Sequence, residues 1–188
     1  MTSDTRSSAL PQPADVVGFW RDAGPKRWFA KDDAFDADFR QRFLAAHEAA
    51  ASGALDAWES TAEGALALLI LLDQFPRNAF RGSARMFATD DRALAVAGRA
   101  VDAGVDAATE PALRPFLYMP FMHSEALSDQ DRCVALAAGL PGGDTLRFAE
   151  LHRDIIVRFG RFPHRNAVLG RATTAQEQRF LDEGGFAG

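Results

Sequence analysis

The chain has 188 residues, with 21 Lys+Arg, 26 Asp+Glu and 4 His, a formal net charge of −5. At 47% hydrophobic and 25% charged residues it has the composition of a folded globular protein, which excludes the disordered, fibrous and collagen-like classes. The acidic balance argues against a nucleic-acid binder, and the single cysteine, Cys133, excludes an internal disulfide. The basic residues comprise 19 Arg and only Lys26 and Lys31. Such bias follows from base composition, so only clustered Arg residues, able to grip carboxylate or phosphate bidentately, carry functional weight.

Residues 1–13 read as a flexible Ser/Thr/Pro-rich tail without the apolar stretch of a signal peptide, and residues 14–188 as a single all-α domain. A short helix is predicted over Ala14–Asp22, presenting Val16, Phe19 and Trp20, and Gly24-Pro25 ends it. A longer helix is predicted from Asp32 to Ser52, with Phe35, Phe39, Phe43 and Ala46 on one face and Gly53 as its C-cap. Three capping boxes mark later helix starts: Ser60/Glu63, Ser128/Asp131 and Thr174/Glu177. The first opens an apolar helix ending near Phe75. Its run Ala65–Leu72 is far short of the ~20 residues that span a bilayer, so a cytoplasmic protein without membrane contact is expected. Further helices are predicted over Asp90–Ala103, Glu110–Ala126 and Asp144–Phe159. Phe75-Pro76-Arg77-Asn78-Ala79 is echoed by Phe162-Pro163-His164-Arg165-Asn166-Ala167. Proline stopping a helix explains part of this echo but not the Arg at both places.

Several residues have the chemistry of a site. Asp73 follows eight apolar residues, so it is expected to be buried and to need a partner; Arg77 is four residues on, across Pro76. His123 and Glu125 follow Pro120, which is expected to kink its helix and free the Phe116 carbonyl. Glu125 is two positions from His123 and points elsewhere on a regular helix. His152 lies on the series Phe148, His152, Ile155, Phe159, an inward-facing stripe. A satisfied core histidine is the competing reading for both imidazoles. The densest polar cluster runs from Arg158 to Asn166, where Arg161, His164, Arg165 and Asn166 have the donors to hold a carboxylate or phosphate. No CxxC, HExxH or EF-hand spacing suggests a metal, and no phosphate loop, GxGxxG or GxSxG string suggests a cofactor or an elbow nucleophile.

Trp28-Phe29 with Lys31-Asp32-Asp33, Leu72 to Asn78, Arg81-Gly82, Tyr118 to Glu125, Asp129-Gln130, His152 to Ile156 and Arg158 to Asn166 resemble the bacterial family catalogued as domain of unknown function 924. The resemblance covers nearly all of the chain beyond the tail, and the strings DQFPRN and RFGRFPHRN are specific. It implies an all-α fold of antiparallel helix pairs in a TPR-like right-handed superhelix, and implies no activity. The expected function is therefore a pocket for a small anionic ligand. Asp73, Arg77, Asn78, Arg161, Arg165 and Asn166 would bind it, while His123, Glu125, His152 and His164 would supply acid–base or hydrolytic chemistry without metal or cofactor. The alternative is a peptide-interaction module whose Arg residues hold a terminal carboxylate. A third reading makes the same side chains structural ion pairs.

Overall fold

The computed structural model describes residues 10–186, so most of the expected tail lies outside the described residues. Among these residues every regular element is helical. In chain order they are α1 (Pro13–Ala23), α2 (Pro25–Trp28), α3 (Asp33–Ser52), α4 (Ala62–Leu69), α5 (Phe75–Ala79), α6 (Asp90–Asp102), α7 (Val105–Ala108), α8 (Pro115–His123), α9 (Leu127–Ala137), α10 (Asp144–Phe159) and α11 (Ala175–Asp182). Three 3₁₀ turns occupy Asp56–Ser60, Ala84–Phe87 and Pro163–Arg165.

Apolarity on all sides puts α4 at the centre. Its residues from Gly64 to Leu69 are all buried, and it packs on α1, α6, α7 and α8. An aromatic layer of Phe19, Trp20, Trp28, Phe35, Phe39 and Phe116 joins α1 to α3 and α8, with the Trp28 indole N–H donating to the Trp20 carbonyl at 2.6 Å. Asp32 caps α3 by accepting from the amides of Ala34 and Phe35, and Gly53 closes it at φ 89°.

The predicted break near Phe75 is instead a change of pitch. Residues Ile70–Gln74 form a π turn that joins α4 to α5, and the Phe75 amide reaches back to the Ile70 carbonyl. Widening the turn lets Pro76 follow without ending the helix, but carbonyls lose their usual donors. Each finds another. His47 Nδ1 meets the Leu71 carbonyl at 2.9 Å, which requires the hydrogen on Nδ1; Thr89 Oγ1 donates to the Leu72 carbonyl at 2.5 Å; Arg77 Nη1 donates to the Asp73 carbonyl at 2.8 Å.

Other expectations are corrected by local geometry. Thr61, not Ser60, caps α4, because its hydroxyl accepts from the Gly64 amide at 3.0 Å. The Ser128/Asp131 box is absent: α9 starts at Leu127, and Ser124 Oγ donates to Asp129 at 2.6 Å. The Thr174/Glu177 box is present. The helix expected over Glu110–Ala126 is confined to Pro115–His123, with Pro120 inside it. Its C-terminal carbonyls are collected by Gln130, whose amide donates to Phe121, Met122 and Ser124. On α10 the buried stripe is Ala149, His152, Ile155 and Ile156, while Phe148 is exposed.

Replacing Thr89 with Val removes the donor to the Leu72 carbonyl at nearly constant volume. Thr89→Val is expected to lower unfolding free energy by about 1–2 kcal/mol, measured by chemical denaturation.

Candidate functional site

The π turn carries Asp73 into the interior with its carboxylate 1% exposed. An isolated carboxylate would not ionise there. It is surrounded by donors: His123 Nδ1 at 2.7 Å, Gln74 Nε2 at 2.6 Å and Arg77 Nη1 at 3.1 Å. Burial pushes its pKa up, but Arg77 and His123 outweigh burial and hold the carboxyl below the usual carboxylate range. Ionised Asp73 therefore accepts from His123 Nδ1–H, which leaves Nε2 of that ring with its lone pair. Burial and the nearby Arg77 charge hold His123 below the ordinary histidine value against the opposing pull of Asp73.

Arg77 continues the chain of charges. Its two terminal nitrogens grip Asp90 at the start of α6, at 2.9 and 3.0 Å. Asp90 also accepts from Arg165 Nη1 at 3.3 Å, and Arg165 Nη2 donates to the His123 carbonyl at 2.9 Å. The guanidinium of Arg165 lies 4.5 Å from the Phe87 ring and 4.6 Å from the Phe162 ring. Its Nε is buried without a partner among the described residues. Burial draws the Arg165 pKa down to about 10 against the pull of Asp90, with Arg77 adding like-charge repulsion. Arg165 is thus a cation whose desolvation is only partly offset.

Phe87, Asp90, Asp91, Leu94, Pro120, His123, Ser124, Glu125, Arg165 and Leu169 line a cleft of about 220 Å³. A wider cleft of about 800 Å³ between α1 and α3 contains none of the expected site residues. Charges on its rim pair locally, Arg42 with Asp38 at 2.7 Å and Arg27 with Asp32 at 3.9 Å. The smaller cleft is the one bordered by a buried imidazole and an under-compensated cation, which makes it the candidate site.

Of the residues expected from sequence, Asp73, Arg77, His123 and Arg165 meet in one network, and Glu125 stands on the cleft wall. Glu125 is held by Arg171 at 2.7 and 3.0 Å and by the Phe162 amide at 2.8 Å, so it positions the loop before Arg165. His152 and His164 lie behind, packed on Phe162 with ring centroids 5.5 and 5.6 Å away. Three residues fall elsewhere. Asn78 donates to Asp36 at 2.6 Å, beside the Arg81–Asp36 pair. Arg161 grips Glu177 at 2.6 and 2.9 Å and the Ala172 carbonyl at 2.8 Å, clamping α11. Asn166 is fully buried and accepts from Arg171 at 3.0 Å. Sequence reading missed Asp90, which looked only like a helix-start acid, and Arg171, which stands outside the dense Arg/His cluster. The repeated Phe-Pro string was the available signal, since Arg77 and Arg165 occupy it and both end on Asp90.

A model of the family described as bacterial protein of unknown function (DUF924) matches residues 16–185. The solved structure of the protein of unknown function ATU0120 from Agrobacterium tumefaciens is 52% identical, with a TM-score of 0.89 over 92% of this chain and 97% of that one. None of the curated proteins matches.

Burial holds His152 at about 4 and His164 at about 3, against an ordinary value of 6.5. Both are neutral in the fold, whereas the unfolded chain takes up their protons as pH drops below that ordinary value. Stability is therefore full above it and falls with falling pH down to the folded values, by up to about 1.4 kcal/mol per pH unit for each imidazole. Denaturation curves across this window should show that loss, and His152→Gln/His164→Gln should flatten it.

Proposed function

The chain belongs to that bacterial family, and from the cleft chemistry we propose that it binds a small anionic ligand between α6, α8 and the loop carrying Arg165, with His123 Nε2 accepting a proton or hydrogen bond from it. The observation that carries this reading is the pairing, at one cleft, of the His123 imidazole, hydrogen-bonded to Asp73, with the Arg165 guanidinium, whose Nε is buried without a partner among the described residues. A phosphate or carboxylate oxygen reaching Arg165 offsets the burial of its charge. Asp73 fixes the His123 tautomer and stabilises the imidazolium when Nε2 takes a proton; Arg77 and burial oppose that charge and keep the ring a weak base. Proton transfer to Nε2 is the acid–base step this arrangement supports, from a ligand or from water beside it.

The size of the cleft favours a metabolite or inorganic anion over a peptide, since pockets that enclose drug-sized ligands run ~300–1,000 Å³. A peptide reading would draw on the wide cleft between α1 and α3, in the manner of a TPR-like module. No helix among the described residues is long and apolar enough to cross a membrane. The free, buried Cys133 fits a reducing compartment, and a cytoplasmic metabolite is the ligand meant.

The test is a thermal-shift screen of the full chain against inorganic phosphate, organic phosphates, carboxylates and short peptides. A ligand at ~100 times its dissociation constant adds about 2.7 kcal/mol. The expected shift comes from a small anion, vanishes in Arg165→Ala and persists in Arg161→Ala, whose side chain is committed to Glu177. A shift retained in Arg165→Ala, or one produced only by peptides, would overturn the reading.

A further inference from the structure

The chain leaves α11 through Gly184 and Gly185. Gly184 has φ 82°, and the Gly185 amide donates to the Phe180 carbonyl at 2.9 Å. A Cβ on Gly185 would lie 2.5 Å from that carbonyl oxygen and 2.6 Å from the Phe180 ring, so the turn needs glycine. This turn lays Phe186 back on the protein, with ring centroids 4.5 Å from His152 and 5.3 Å from His164. Phe186 is only partly buried and belongs to a small cluster around Ile155, Ile156 and Phe162, separate from the main core.

The surface that Phe186 covers is polar in one respect. His164 Nδ1 is buried and has no hydrogen-bond partner among the described residues. The hydrocarbon ring of Phe186 beside the His164 ring offers that nitrogen no hydrogen bond, so its desolvation is uncompensated. With the His164 hydrogen on Nε2, a flat ring carrying an N–H or O–H donor in that space would satisfy Nδ1. Phe162, which forms the wall shared by both imidazoles, also lies against the Arg165 guanidinium, so this surface and the anion cleft meet across one ring.

We propose that His152, His164 and Phe162 form a subsite for a flat aromatic group bearing a hydrogen-bond donor, and that Phe186 is its resident occupant, displaced when such a ligand enters. The class of ligand, an aromatic group joined to an anion, rests on the anion-site reading above; the subsite itself rests on the histidine geometry. The two-glycine turn sets Phe186 in place beyond α11, and α11 has its own anchor in the Arg161–Glu177 pair.

Two measurements on the full chain decide it. Diethyl pyrocarbonate modification, mapped by mass spectrometry, should speed up roughly tenfold at His152 and His164 in Phe186→Ala, because removing an occupant exposes the surface in proportion to the time it was covered. His47, buried under Phe75 and Phe80, is the internal control, and Phe186→Trp should keep the protection. Unchanged reactivity in Phe186→Ala with unaltered circular dichroism would overturn the proposal. Thermal-shift titration with 4-hydroxyphenyl phosphate should show roughly tenfold tighter binding in Phe186→Ala, and inorganic phosphate should bind both proteins equally. Equal or weaker binding of the aromatic probe in the variant would also overturn it. Failure of both probes to bind either protein would sink the anion-site reading instead, and the histidine reactivities would then decide the subsite alone.

Discussion

Asp90 accepts hydrogen bonds from two guanidinium groups that come from distant parts of the chain, Arg77 after the π turn and Arg165 in the C-terminal loop. The side chains of all three are at most 16% exposed. Charges buried to this degree pay heavily for lost water and are tolerable only when each meets an opposite charge in good geometry. Asp90 is therefore the point on which the rest of the site depends. It balances Arg77, which in turn lets Asp73 stay ionised, and Asp73 sets the hydrogen on His123. Loss of the Asp90 carboxylate would leave two buried cations facing each other. Such a network gives little net stability over an apolar core, so its retention here is better understood as the fixing of one arrangement of side chains.

The backbone makes this arrangement possible. A regular helix through Leu69–Ala79 would place Pro76 where it clashes, and would leave the Leu72 carbonyl without a donor. The π turn accommodates the proline, and Thr89, His47 and Arg77 take up the carbonyls. Arg77 and Thr89 thus serve both the irregular helix and the neighbourhood of Asp73. Irregular helical turns of this kind recur at functional sites because they aim a side chain that a regular helix would point elsewhere. Here the side chain is Asp73. At the other end, Glu125 and Arg171 tie the end of α8 to the loop that delivers Arg165, so both walls of the cleft are braced by bidentate pairs.

Much of this was legible in the sequence. The all-helical class followed from apolar spacing, and the burial of Asp73 followed from its apolar neighbours. The pairing of Arg77 with Asp73 was open because Pro76 intervenes, and only the π turn resolves it. His152 was rightly placed inward, while Phe148, one turn earlier, was not, because its ring packs under Arg147 at the surface. Asp90 could not be singled out, since an acid in the first turn of a helix is ordinary. Its role comes from tertiary convergence of two Phe-Pro strings, which local spacing does not contain. Arg161 shows the opposite case: it sits in the densest basic cluster, yet Glu177 of the following capping box pairs with its guanidinium. Composition shows where cations are, and only the fold shows which of them are already paired.

The candidate site turns on one proton. Ionised Asp73 must hold His123 with hydrogen on Nδ1 and a free lone pair on Nε2. Nitrogen-15 NMR of histidine-labelled protein near neutral pH, with His123→Gln to assign the signal, reads both ring nitrogens directly. The expected result is a neutral ring, protonated at Nδ1 and unprotonated at Nε2. A His123 ring protonated at Nε2, in either the neutral or the doubly protonated form, would contradict it.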